Sequence, residues 1–416
     1  MRKTSLALAV AASTLGLSQV AFADLVGDTK VSLEARNFYF NRDFREGAGQ
    51  SKQEEWAQGF ILRMNSGFTE GTVGFGADAI GMYGFKLDSG DGTAGSGLLV
   101  PDRSSGGSQD NYSGLAVAAK AKVSNSTLRV GHMQFKNAAI ASSDSRLLPQ
   151  IFRGGHLVSQ EIEGLTLDAG YLDEVNNRNS QDYEDMTLNT YSFSGIQFRG
   201  LNQSNEFIFA GGNYKLTNDL TAGYYYSNLE DMYKQHSFNL VHVLPLGDKQ
   251  SLKTDLRYAR STDDGQSNVD NKAFGAMVTY ALSGHSFGIG YQQMDGDTGF
   301  AYVGGTDPFL VNYVQIGNFA AKDEKSWQAR YDFNFASIGI PGLTFMTRYL
   351  TGDNIDRGAG VSEGREWERN TDIAYVFQEG ALKNLGLRWR NATMRNNFSR
   401  NIDENRLIVS YTLPLM

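Results

Sequence analysis

The chain contains no cysteine. That excludes disulfides, thiol nucleophiles and every thiolate-ligated metal site. It does not argue against export, because an exported protein may carry disulfides but need not. Long apolar runs are also missing. Past the first 23 residues, no window of about 18 apolar residues exists, so no transmembrane helix is encoded. Such a chain enters a membrane only as a closed barrel, since backbone groups in lipid must pair internally. A basic excess is lacking too: the net charge is -8. Nucleic acid is therefore not expected as a partner, because binding it needs a basic field. The five histidines, at 132, 156, 236, 242 and 285, show no metal-ligand spacing such as HExxH. There is no G-x-S-x-G elbow and no P-loop. Neither a cofactor, a metal nor an enzymatic activity is expected.

Proline is scarce, at 6 residues, whereas glycine reaches 47, tyrosine 20 and phenylalanine 25 against 4 tryptophans. With only 41% hydrophobic residues, this balance points to many strands and turns rather than a large packed core. The beginning of the chain sets a compartment. Arg2 and Lys3 precede an apolar stretch from Leu6 to Val20, and Ala21-Phe22-Ala23 fits small-x-small cleavage. Residues 1–23 read as a secretory signal peptide, and 24–416 as a single domain.

Period-2 alternation dominates that domain. Trp327, Ala329, Tyr331, Phe333 and Phe335 fall on one face, and Gln328, Arg330, Asp332 and Asn334 on the other. Leu407, Val409, Tyr411, Leu413 and Leu415 oppose Arg406, Ser410 and Thr412 in the same way. A soluble sandwich turns its apolar face inward and a membrane barrel turns it outward, so alternation alone leaves both open. Connection lengths separate them. Short turns at Gly67–Glu70, Ser124–Ser126, Leu216–Asp219, Pro245–Asp248 and Ile340–Gly342 alternate with long links. The long links read as Asn41–Glu55, Tyr83–Tyr112, Asp295–Lys325 and Thr351–Asn370. Long outer loops and short periplasmic turns mark a transmembrane β-barrel of the Gram-negative outer membrane. The tally is about eighteen antiparallel strands, enough to enclose an aqueous channel. Candidate starts lie near Val31, Gln58, Thr72, Leu115, Thr127, Leu157, Leu165, Phe207, Leu220, Ser237, Leu252, Phe274, Ser286, Ser326, Leu343, Asp372, Leu385 and Asn405. The segment Thr187–Arg199 is left in a loop.

If the apolar face meets lipid, the polar face lines the lumen. Parity then sends Arg36, Arg129, Lys253, Arg257, Arg330, Arg348, Arg388 and Arg390 inward. An arginine on the lipid face near the midplane costs about 2–4 kcal/mol, so this assignment is enforced physically. Arg330, Arg348, Arg388 and Arg390 form a cationic stripe on one wall. A guanidinium stays charged and grips a carboxylate with two parallel hydrogen bonds. A row of weak sites passes an anion along, since conduction needs binding that also releases. The competing reading is structural: Asp332, Asp255, Asp78 and Glu34 share the inward face and pair with these arginines to stiffen the wall. A different class of function, an adhesive barrel whose long loops bind a surface partner, follows from the lengths of Tyr83–Tyr112 and Asp295–Lys325.

Several stretches resemble the OprD family of outer-membrane carboxylate channels: Arg36–Asp43, Gly71–Gly76, Ser145–Gln150, Leu229–Gln235, Lys325–Met346 and Asp403–Val409. The similarity covers essentially the whole mature chain. It implies a barrel of eighteen strands narrowed by two infolded loops, one around Ser143, Asp144 and Arg146 and one from Asp307 to Asn318. It also implies uptake of small organic anions along a basic ladder, and contact with outer-membrane lipid and lipopolysaccharide. Insertion by the barrel-assembly machinery and a monomer or loose trimer are implied as well. Family members that import basic amino acids or peptides carry acidic and hydroxyl groups in the second loop. Here Asp307 is kept, but Pro308, Tyr313 and Asn318 depart from that pattern. Asn391–Arg395 and the tail are closer to the OccK branch, which implies cyclic or aromatic carboxylates. The final residue, Met416, differs from the aromatic common at barrel C-termini.

Overall fold

The computed structural model describes residues 25–189, 198–200 and 203–416. The expected signal peptide lies outside the described residues, as do 190–197 of the segment left in a loop. Eighteen strands form one antiparallel sheet. β1 (Lys30–Phe44) pairs with β18 (Ile402–Pro414), for example Tyr39 opposite Leu407, so the sheet closes on itself. Closure removes the unpaired edge and satisfies the backbone in lipid.

Every expected strand is present, but some outer ends run further than alternation shows. β2 is Lys52–Asn65 and β16 is Gly364–Val376, so the links before them shrink to 45–51 and 356–363. The expected long links Asn41–Glu55 and Thr351–Asn370 are therefore corrected to short ones. The cause is that these outer ends are polar on the inward face and mostly polar on the outward one, where in β16 Trp367 stands alone between Arg365 and Arg369. Glu366 and Glu368 are buried inward while Arg365 and Arg369 are exposed, so no apolar rhythm marks the strand. The truly long links are 89–110, 134–150, 177–206 and 296–324. All four leave the same end of the barrel, and the shortest turns, 124–125, 248–249 and 283–284, close the other. This places the long links outside the cell.

The outward face is apolar, as parity requires. Ile289 in β13 (His285–Asp295) is 66% exposed and Trp327 in β14 (Lys325–Asn334) is 56%. Aromatic rings gather toward both ends: Tyr291 and Trp327 lie 4.5 Å apart on the loop side, and His285 and Phe333 4.4 Å apart on the turn side. Such girdles mark the membrane interfaces. Ile289 sits between them. Ile289→Arg is expected to lower the stability of the folded barrel by about 2–4 kcal/mol, read from urea unfolding in liposomes. An unchanged midpoint would contradict a lipid-facing position.

The inward face is not uniformly polar. Phe38 and Phe40 of β1 are buried under Leu98 and Leu99 from link 89–110 and Leu147 and Leu148 from link 134–150. A second cluster joins Phe135, Phe152, Met186, Leu188, Phe207 and Val303, drawing three links together. The resemblance implied two infolded loops; the structure shows four links contributing. The wall is notched to seat them. At Gly275 of β12 (Asp270–Leu282), an added Cβ would lie 2.7 Å from the Val311 side chain. At Gly352 of β15 (Leu343–Ile355), it would collide with Glu324 and crowd Phe319. Glycine there permits close approach of wall and loop.

Candidate functional site

Charged wall residues first fix the loops. Arg36 donates to Glu34 and Asp144 at 2.9 and 2.7 Å, and to the Arg146 carbonyl at 2.8 Å. It thereby ties link 134–150 to β1. Glu55 on β2 accepts from the Ser96 amide at 3.1 Å and from the hydroxyls of Ser96 and Ser108, pinning link 89–110. Arg257, on β11 (Gln250–Asp263), bonds Asp255, donates to the Leu310 carbonyl at 3.1 Å and lies 4.1 Å over the Phe309 ring. Glu368 accepts from the backbone of Ile316 and Gly317 at 3.0 and 2.7 Å. These two hold link 296–324 from two separate strands, at residues 309–310 and 316–317. Buried polar groups of this kind are stable only because every oxygen and nitrogen finds a partner.

Between the anchored links and the wall lies a cavity of about 740 Å³. Six guanidiniums line it, those of Arg42, Arg146, Arg178, Arg348, Arg390 and Arg406, with Asp307 as the acidic residue on its surface. Asn318, Tyr302 and Tyr313 also border it. Three of the arginines, Arg42, Arg146 and Arg406, have their charged carbons 5.3, 5.0 and 5.4 Å from the Phe40 ring centroid. Each gains a modest cation–π attraction, and together they spread one ring's negative face among three charges. Glu404, wholly buried, accepts from Arg42 at 2.8 and 2.6 Å and from Arg406 at 2.6 Å.

Toward the short-turn end a second chamber of about 530 Å³ is lined by Arg330, Asp332, Asp372 and Arg388. Asp372 receives two bonds from Arg388 Nε, at 2.9 and 3.0 Å, and one from Nη2 at 2.5 Å. The same carboxylate lies 3.2 Å from Arg390 Nε in the upper cavity, so it joins the two spaces.

The expected site residues divide accordingly. Arg146, Asp307, Tyr313, Asn318, Arg348 and Arg390 meet in the upper cavity, and Arg330 and Arg388 in the lower chamber. Arg36, Arg129, Arg257 and Arg330 form ion pairs with Glu34, Asp78, Asp255 and Asp332, the inward acids that parity placed on the same face. Asp144 is taken by Arg36, and Ser143 is buried, accepting from Arg178 at 3.0 Å. Lys253 is exposed near the turn end of β11, away from both cavities. Three cavity arginines were not anticipated as site residues. Arg42 and Arg406 share the inward parity of their strands, a signal that was available. Arg178 lies in link 177–206, where no periodicity exists to reveal it.

The cavity lining carries an excess of positive charge. Burial, aided by Arg406 and Arg178, pushes the Arg146 guanidinium well below the usual arginine range. Burial does the same, less strongly, to Arg178. Arginine does not give up its proton for this, so the positive charge stays in the cavity. Burial pushes the Asp307 carboxyl up, although bonds from Ser143 and Tyr313 partly hold it down. Tyr313 Oη donates to it at 3.1 Å.

A family model described as outer membrane porin, OprD family, matches residues 23–415. The chain is 39% identical over 412 residues to the porin-like protein GalP of Pseudomonas putida, spanning 97% of this chain and 96% of that one. The crystal structure of Pseudomonas aeruginosa OpdQ matches with 60% identity and a TM-score of 0.88, over 95% of this chain and 100% of that one. That of Pseudomonas aeruginosa OccK3 (OpdO) matches with 49% identity and a TM-score of 0.84, over 96% and 100%.

Proposed function

We propose that this chain, which belongs to the OprD family of outer-membrane porins, passes small carboxylate-bearing solutes inward through its arginine-lined lumen. The observation that carries the reading is the set of six guanidiniums around one cavity, facing one lining acid, Asp307, among the described residues. A carboxylate entering from outside meets Arg348 and Arg390 there and Arg330 and Arg388 below. Asp372 competes for two of these groups, which keeps binding weak enough for release. Tyr302 and Tyr313 supply flat, largely apolar walls, which suits a cyclic or aromatic carboxylate. Asp307 makes a poor site for a substrate cation, because Tyr313 already occupies one of its two oxygens and Arg178 and Arg146 stand nearby. That argues against import of basic amino acids.

Single-channel recording tests the reading. The wild-type channel is expected to prefer anions under a salt gradient. The double variant Arg348→Gln/Arg390→Gln is expected to lose that preference by about tenfold, the equivalent of about 1.4 kcal/mol. Cation preference in the wild type, unchanged in the variant, would contradict it.

A further inference from the structure

We infer that the upper cavity prefers solutes with two or more carboxylates over monocarboxylates. The inference rests on the proposed anion path and concerns the charge of its cargo.

The ground is a mismatch between guanidiniums and counter-ions. Outside the cavity, inward arginines are matched: Arg36 with Glu34, Arg129 with Asp78, Arg257 with Asp255, Arg330 with Asp332. The chain has acids to spare, with a net charge of -8. Inside the cavity the matching stops. Glu404 serves Arg42 and Arg406 together, and Asp372 serves Arg390 while also binding Arg388. Arg146, Arg178 and Arg348 make no ion pair within hydrogen-bonding reach among the described residues, and the one lining acid, Asp307, stands near Arg146 and Arg178 without bonding either.

Each of these three is instead held by neutral groups. Arg146 donates to the carbonyls of Ser96 and Ser145 at 2.9 and 3.0 Å. Arg178 donates to the hydroxyls of Ser143 and Ser145, both at 3.0 Å. Arg348 donates to Asn370 Oδ1 at 2.7 Å. Glu368 is near Arg348, yet its oxygens are taken by the amides of Ile316 and Gly317 and by Asn370. Neutral acceptors fix the direction of a guanidinium without cancelling its charge. Arg146 is buried and Arg178 and Arg348 are half-buried; charge withdrawn from water without a counter-ion is costly, and an anionic ligand relieves it.

One carboxylate relieves one such group well, with two parallel bonds. It leaves two others unmatched. The three sit on separate elements: Arg348 on β15, Arg146 on link 134–150 and Arg178 on link 177–206. All three line the same cavity, so a solute with two or three carboxylates has more than one guanidinium to answer there. Its later contacts form within an already bound molecule, so they carry no further cost of association.

Channel block by tricarballylate, glutarate and butyrate at one ionic strength tests this. Fixed ionic strength is needed because screening scales with the salt present. Tricarballylate is expected to block at a concentration at least about tenfold below butyrate, with glutarate between them. Arg178→Gln and Arg348→Gln are each expected to narrow that ratio. Folding of the variants is checked by heat-modifiable migration, and the wild-type ordering decides the matter even where a variant does not insert. Equal block by all three acids in an anion-preferring channel overturns the inference and leaves the anion path standing. A channel that prefers cations overturns both.

Discussion

Arg36→Ala is expected to widen the channel and weaken the fold together. The guanidinium is buried and bonds two carboxylates and the carbonyls of Arg146 and Leu147. Its loss leaves Glu34 without its nearest cation and frees link 134–150 from the wall. Breaking a buried pair from one side costs about 3–5 kcal/mol, more than the pair contributes, because a charge is left uncompensated. Arg63 remains 2.8 Å from Glu34 and softens this toward the lower end. The expected readings are a lower urea midpoint, higher single-channel conductance and more open-state noise. A loop that stays seated, with wild-type conductance, would show that Leu147 and Leu148 hold it by packing alone.

Glu404→Gln is expected to produce a different signature. Glu404 is the carboxylate beneath the three guanidiniums around Phe40, and it accepts from Arg42, Arg406 and the Gln315 amide. A neutral amide keeps the shape but leaves Arg42 and Arg406 unmatched. The expected cost is about 3–5 kcal/mol of stability. The cavity's positive field rises at the same time, so anion preference and anion block are expected to strengthen. The opposite signs separate this outcome from general loosening, which would weaken both. Reduced anion preference in a folded Glu404→Gln barrel would contradict the role given to the cluster.

Much of this was legible from period and parity. The pairing of Arg330 with Asp332 and Arg257 with Asp255 follows from two residues sharing one face of one strand, because spacing by two fixes their contact. Closure by β18 against β1 follows from the need to pair every edge in lipid. Less visible was what the infolded links do to the inner wall. Phe38 and Phe40 share the inward face with Arg36 and Arg42, which breaks the rule that lumen residues are polar. They are covered by Leu98 and Leu147, residues distant in sequence and without periodicity. For the same reason Arg178 could not be found: a loop residue has no parity to place it. Nor does sequence tell which inward arginine is a loop anchor and which faces the cavity. Arg36 and Arg348 look alike in their strands. Only the approach of link 134–150 to one and of Asn370 to the other separates them.

The central claim is that the guanidinium-lined cavity selects carboxylates. Uptake into liposomes carrying the purified protein tests it with two labelled solutes of equal size, cyclohexanecarboxylate and cyclohexylamine. The carboxylate is expected to enter faster, with the difference shrinking in the Arg348→Gln/Arg390→Gln variant. Equal rates, or faster entry of the amine, would contradict the account.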